Sequence, residues 1–167
     1  MRLFARKRRE EQENIHLVSP VTGTAIEMSE VPDPVFSQSI LGPGFAVLPK
    51  DDEVVAPAGG TITSVADTSH AVYLTDPQGS QILVHLGLET VKLNGKHFQL
   101  LVSEGQEVQP GDPIARCDFA AIRAAGYQTP VLVCLINGAE TVSNFDLATL
   151  GEVVAGQAVA SARRTDR

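Results

Sequence analysis

Between residues 15 and 154 this chain is built from short β-branched and apolar runs, broken by Gly, Pro, Asp or Asn at roughly 8–12-residue intervals. That rhythm leaves little room for helices, which would need a longer stretch with apolar residues recurring at three- and four-residue spacing. The runs predict strands at Ile15–Val18, Thr22–Glu27, Phe45–Leu48, Glu53–Ala56, Gly60–Val65, Ala71–Thr75, Gln81–Leu86, Lys96–Leu101, Glu107–Val108, Pro113–Asp118, Val131–Ile136 and Glu152–Val154. Only Asp118–Gly126 reads as a helix, with Asp118 as its cap, alanines inside and Gly126 as its stop. A single helical turn over Val35–Leu41 follows Pro34. The expected class is therefore all-β, an antiparallel sandwich or barrel with one or two short helices.

The chain is long enough, at 167 residues, for one domain with a sizeable core over 15–154. Met1 to Asn14 reads as a basic tail, frayed or briefly helical, and Ala155 to Arg167 as a loose one. Charge is split the same way. Arg2, Arg6, Lys7, Arg8 and Arg9 against Glu10 give the start +4, and the last five residues give +2. With a total of −7, residues 11–162 carry −13. An acidic body lacks the basic stripe that phosphate backbones require, so nucleic acid is not an expected ligand, whereas a basic protein partner is. Leu3 and Phe4 beside the basic cluster would allow at most weak contact with an anionic membrane surface. No apolar run is long enough to span a bilayer and no secretory signal is present. Cys117 and Cys134 stand alone, without CxxC spacing, and read as buried reduced thiols, which points to the cytoplasm. Met1 and the charged ends favour a free-standing protein.

Two histidines fall on neighbouring apolar strands, His70 in Ser69-His70-Ala71-Val72-Tyr73-Leu74 and His85 in Gln81-Ile82-Leu83-Val84-His85-Leu86-Gly87. The intervening Asp76-Pro77-Gln78-Gly79 has the residues of a type I turn. Pairing Asp76 with Gly79 sets His70 directly opposite His85, with Cβ atoms about 4.5–5.5 Å apart, and is the favoured register. A closure with Gly79 in a left-handed bulge sets His70 opposite Leu86 instead and separates the rings unless the strands twist locally. Facing imidazoles amid valines and leucines need polar partners, which marks the pair as a candidate site. His16 and His97 lie away from it and are assigned no role.

Val55-Ala56-Pro57-Ala58-Gly59-Gly60-Thr61-Ile62 and Glu104-Gly105-Gln106-Glu107-Val108 running on to Ala115 echo one another, each placing a glycine turn before a strand. Such units recur in barrel-sandwich hybrids such as lipoyl carriers, but the hairpin tip at 76–79 lacks the lysine a lipoyl carrier needs. The same segments, with Val31-Pro32-Asp33-Pro34-Val35-Phe36, Thr68-Ser69-His70-Ala71 and Leu83-Val84-His85-Leu86-Gly87-Leu88-Glu89-Thr90-Val91-Lys92-Leu93-Asn94-Gly95, resemble the glucose-type IIA component of the bacterial phosphoenolpyruvate-dependent sugar phosphotransferase system. The resemblance spans about residues 19–140. It implies an antiparallel sandwich with the duplicated hybrid motif, and a phosphocarrier that needs no resident cofactor. Phosphoryl groups would come from phosphoenolpyruvate through enzyme I and HPr to His85, and leave for a cysteine of a IIB domain.

The same resemblance gives His85 Nε2 as the attacking atom, with Nδ1–H donated to a backbone carbonyl. His70 would bind a phosphoryl oxygen and Thr68 would orient His70. An apolar rim would slow hydrolysis, and Val35, Phe36, Ile40, Leu41 and Val91 are its candidates. Leu83 joins them on the partner-facing list, and Asp33 and Glu89 would meet basic residues of the donor. Glu89 stands where many members carry Asp, and Leu83 and Leu86 where aromatics are common. Two other classes fit part of the pattern. A regulatory binding module would keep the fold, engage other protein targets and pass nothing on. A zinc-dependent hydrolase of lysostaphin-like architecture would need a His-x-His pair, which His85-Leu86-Gly87 lacks, and catalytic zinc takes three protein ligands. Zinc on His70 and His85 would therefore need a carboxylate from a bound partner.

Overall fold

The computed structural model describes residues 2–165, so that Met1, Asp166 and Arg167 lie outside the described residues. Helix α1 (Arg2–Glu13) leads into β1 (Asn14–Val18) and β2 (Gly23–Glu27); after a short α2 (Pro34–Ser37) come β3 (Gly44–Pro49), β4 (Glu53–Val55), β5 (Gly60–Val65), β6 (Ala71–Thr75) and β7 (Gln81–Leu86). The second half contains β8 (Phe98–Leu100), β9 (Glu107–Val108), β10 (Pro113–Cys117), α3 (Phe119–Ala124), β11 (Val131–Ile136), α4 (Gly138–Thr141), β12 (Val142–Leu147), β13 (Gly151–Val153) and β14 (Ala158–Arg164). All strand pairs are antiparallel. An eight-stranded sheet runs β13-β2-β3-β11-β7-β6-β5-β9, and two three-stranded sheets run β1-β14-β12 and β4-β10-β8. The antiparallel β-sandwich expected from the sequence is the fold observed.

The fold is internally duplicated. Val18 N–H donates to Pro57 O at 2.9 Å, and Val55 N–H donates to Pro20 O at 2.7 Å. The two bonds are the same bond exchanged between Val18-Ser19-Pro20 and Val55-Ala56-Pro57. The partners repeat as well. Leu17↔Ala160 and Val18↔Ala158 on β1–β14 match Val54↔Ala115 and Val55↔Pro113 on β4–β10, and both ladders shift register at that step. The turn Val154–Gln157 likewise copies Gln109–Asp112: each ends in a left-handed glycine and an amide or carboxylate that accepts from the turn's first N–H. The repeat in space thus relates 18–24 to 55–61, not 55–62 to 104–115. The sequence echo compared turn-strand units that play different parts in the two halves.

Two regions depart from the expected layout. The C-terminal segment, expected to be loose, supplies β14, which lies between β1 and β12 and buries Val159, Ala160 and Ala162. Ala158–Arg164 has little intrinsic strand preference, and pairing on both sides makes it a strand. Strand β12 was also unread, because Asn144 at φ 53° and a register shift between Ser143 and Asp146 break its pattern. At the other end α1 takes the helical form of the two considered, with Leu3 and Phe4 exposed at 82% and 79%.

The centre of the large sheet is buried on both faces. Ile82, Val84 and Leu86 of β7, Val131, Val133 and Leu135 of β11, and Phe45 and Val47 of β3 enter the main core. The alternate residues Leu83, Leu132, Cys134 and Ala46 form a smaller cluster on the other face, roofed by Met28, Val31, Phe36 and Leu88. Period-two alternation puts His85 on this second face beside Leu83. Two-sided burial also explains why β7 and β11 read as nearly unbroken apolar runs.

Candidate functional site

The β6–β7 hairpin closes with the register not favoured from its turn residues. Gly79 N–H donates to Asp76 O at 3.0 Å, and Asp76 N–H donates to Ser80 O at 2.9 Å, with Gly79 at φ +90°. This is a type I turn followed by a left-handed bulge residue. His85 consequently pairs with Ala71, and His70 lies opposite Leu86, whose N–H donates to His70 O at 2.8 Å. Asp76 Oδ1 accepts from Gln78 N and Ser80 N at 3.1 and 2.8 Å, and that pair of side-chain bonds favours the longer loop.

The imidazoles nevertheless meet. His70 stands just before the first residue of β6, and Ser69 ahead of it is left-handed at φ 61°, so strand alternation does not yet govern His70. The two ring centroids are 5.1 Å apart with planes at 76°, an edge-on pair. Ala71, the register partner of His85, is small enough to leave the ring room.

Thr68, His70 and His85 are brought together as expected. Thr68 Oγ1 and His70 Nδ1 lie 2.6 Å apart. His85 Nδ1 lies 2.7 Å from Gly87 O, a carbonyl that can only accept, so the proton sits on Nδ1 and Nε2 keeps its lone pair. Burial pushes the His85 imidazole down to about 4, opposed by the Gly87 bond and by nearby Asp33, and assisted by His70. Burial also lowers His70. Both rings are therefore neutral at pH 7, with one basic nitrogen each.

Asp33 caps α2 by accepting Val35 N–H at 3.0 Å, and Pro34 follows at the first helical position. This cap carries Phe36 over the sheet, where its ring centroid lies 5.2 Å from that of His85. Phe36 is itself 6% exposed, so it shields the histidine's flank and, contrary to expectation, presents little surface to a partner. Val35, Ile40 and Val91 are exposed at 42%, 65% and 47%. Glu89 is exposed and pairs with Lys92 at 3.7 Å. Leu41 packs partly buried against the smaller cluster. Leu83 does not belong on the partner-facing list: it is 2% exposed, covered by the same roof that shields His85. Tyr73, two residues after Ala71 on the His85 face, is 39% exposed.

Cys117 and Cys134 are buried free thiols, pushed up to about 12 by burial. Among the described residues no group of three or more His, Cys, Asp or Glu side chains is placed to hold a metal, so the histidine pair supplies two ligands at most. No helix among the described residues is long and apolar enough to cross a membrane.

Comparison with known proteins gives concordant matches. The family described as "phosphoenolpyruvate-dependent sugar phosphotransferase system, EIIA 1" matches residues 15–141. The β-glucoside-specific EIIBCA component of Bacillus subtilis is 47% identical over 124 residues, covering 73% of this chain and 20% of that protein. The glucose-specific EIICBA component of Streptococcus pneumoniae is 41% identical over 142 residues, with 85% of this chain covered and 19% of that protein. This chain thus spans about a fifth of each of those two relatives. The glucose-specific EIIA component of Staphylococcus aureus is 37% identical over 142 residues, covering 84% of this chain and 86% of that protein. Among solved structures, glucose permease IIA from Mycoplasma capricolum superposes with a TM-score of 0.80 at 33% identity, covering 89% of this chain and 96% of that one.

Proposed function

The chain belongs to the EIIA type 1 family of the phosphoenolpyruvate-dependent sugar phosphotransferase system, and from that premise we propose that it is a phosphocarrier whose acceptor is His85. The observation that carries this reading is the occupied Nδ1. With that proton held by Gly87 O, Nε2 is the one nitrogen of the ring able to attack. In the first transfer the Nε2 lone pair forms a bond to phosphorus while the phosphorus–nitrogen bond of phosphorylated HPr breaks in line with it. His70 Nε2–H then binds a phosphoryl oxygen, which requires Thr68 to donate its hydroxyl proton to His70 Nδ1. In the second transfer a thiolate of a IIB domain attacks phosphorus and His85 leaves with its electron pair. Phe36, its ring against that of His85, keeps water away between the two events, and exposed Val35, Ile40 and Val91 offer apolar surface to a partner.

The names of the fused relatives, which join IIA to B and C components, support a IIB acceptor for this chain. Asp33 and Glu89 offer charge to a basic donor surface. We place the work in the cytoplasm, with α1 making at most a weak peripheral contact with anionic lipid through Leu3 and Phe4. Incubation with phosphoenolpyruvate, enzyme I and HPr tests the relay by intact mass and acid lability. Wild type should gain one acid-labile phosphoryl group, and His85→Ala none. His70→Ala should still be charged but fail to discharge to a IIB domain. No gain in wild type would end this reading.

A further inference from the structure

Gly87 and Glu89 are both left-handed, at φ +82° and +56°. For glutamate that backbone is costly, and it persists where surrounding bonds over-determine it. Three bonds do so. Gly87 N–H donates to Pro130 O at 2.9 Å and Leu88 N–H donates to Gln128 O at 3.0 Å. The third comes from Thr90, whose hydroxyl donates to Leu86 O at 2.6 Å and which is wholly buried. Leu86 is the residue whose N–H meets His70 O, and the next carbonyl along is the acceptor for His85 Nδ1–H. The methyl of Thr90 packs into the same place: a Cβ on Gly87 would lie 2.6 Å from Thr90 Cγ2 and 2.9 Å from Gln128 O.

We propose that Thr90 is a positioning residue for the phosphoryl relay, its hydroxyl closing the Leu86–Thr90 loop so that the Gly87 carbonyl holds the His85 proton on Nδ1. This deepens the phosphocarrier reading and rests on it. The hydroxyl acts through two peptides and touches neither the donor nor the phosphoryl group. If the role is orientation, losing the hydroxyl while keeping the shape damages transfer, and a residue that restores only the hydroxyl repairs it.

Thr90→Val and Thr90→Ser make that comparison, read by ¹⁵N NMR of the unphosphorylated His85 ring and by the rate of phosphoryl gain from HPr. In wild type and Thr90→Ser the His85 proton should reside on Nδ1. In Thr90→Val the two ring nitrogens should move toward averaging, and phosphoryl gain should slow by about tenfold to a hundredfold, with Thr90→Ser within about threefold of wild type. An unchanged tautomer and rate in Thr90→Val would overturn the proposal. So would a Thr90→Ser variant as slow as Thr90→Val, which would assign the effect to the methyl. Should Thr90→Val fail to fold, Thr90→Cys, a weaker donor of similar size, replaces it and must fall between the other two. The ring tautomer is read without any phosphoryl donor, so failure of wild type to accept phosphate would reject the relay while still testing the loop.

Discussion

Replacing Asp76 by Asn isolates one buried charge pair that joins three distant parts of the chain. The Asp76 side chain is 8% exposed and Arg164, its partner, 15%. Arg164 Nη2 donates to Asp76 Oδ2, and Nη1 donates to Asn14 O at 2.9 Å. One guanidinium thus ties the tip of the histidine hairpin to β14 and to the chain leaving α1. Asn keeps the Oδ1 acceptor, so the Gln78 and Ser80 amides stay bonded and the turn survives. What changes is that the Arg164 guanidinium, largely buried, faces a neutral amide in place of the Asp76 carboxylate. Breaking such a pair costs about 3–5 kcal/mol. Because Arg164 retains Asn14 O, Gln78 Oε1 and a wet edge, the cost falls to the bottom of that range or just below it, about 2–3 kcal/mol, which lowers Tm by about 5–10 °C for a domain of this size. The chain has no Trp, so urea unfolding followed by far-UV circular dichroism is the suitable assay. Asp76→Asn, Arg164→Met and the double variant complete a cycle with an expected coupling of about 1.5–3 kcal/mol. A loss below about 0.5 kcal/mol for Asp76→Asn, or additive single variants, would mean that the pair behaves like an exposed one and the reasoning fails.

Deleting residues 156–167 removes β14, the strand between β1 and β12, and should abolish cooperative unfolding; a truncated chain with a sigmoidal transition would contradict the assigned topology. Gly87→Ala places a Cβ at φ +82° and 2.9 Å from a backbone oxygen, so it should cost about 2 kcal/mol and slow phosphoryl gain, measured by urea titration and intact mass. Because His85 titrates near 4 in the fold and near 6.5 unfolded, the unfolded chain binds the extra proton first. Stability from this group is present above about pH 6.5 and is lost as pH falls toward 4, so His85→Gln should flatten the stability profile across that window. Phe36→Ala uncovers the ring and should move its titration upward, toward the ordinary imidazole value, in an NMR pH series.

Local chemistry wrote much of this protein. The bounds of Gly60–Val65, Ala71–Thr75, Gln81–Leu86 and Val131–Ile136 follow from β-branched runs between turn residues. The Asp118 cap and the left-handed Gly126 bracket α3 as their side chains dictate. That the two histidines of one hairpin meet was legible for the same reason, since adjacent strands must bring their residues near each other. The tertiary structure decided the rest. Which residue faces His85 depended on Asp76 accepting two amides and Gly79 turning left-handed, a choice between closures of nearly equal local merit. That Leu83 is inaccessible depended on the roof from Met28, Val31 and Phe36, and that Ala158–Arg164 is a strand depended on β1 and β12 lying on either side of it. The basicity of His85 has the same origin, because desolvation comes from neighbours supplied by other elements and no single segment of sequence contains it.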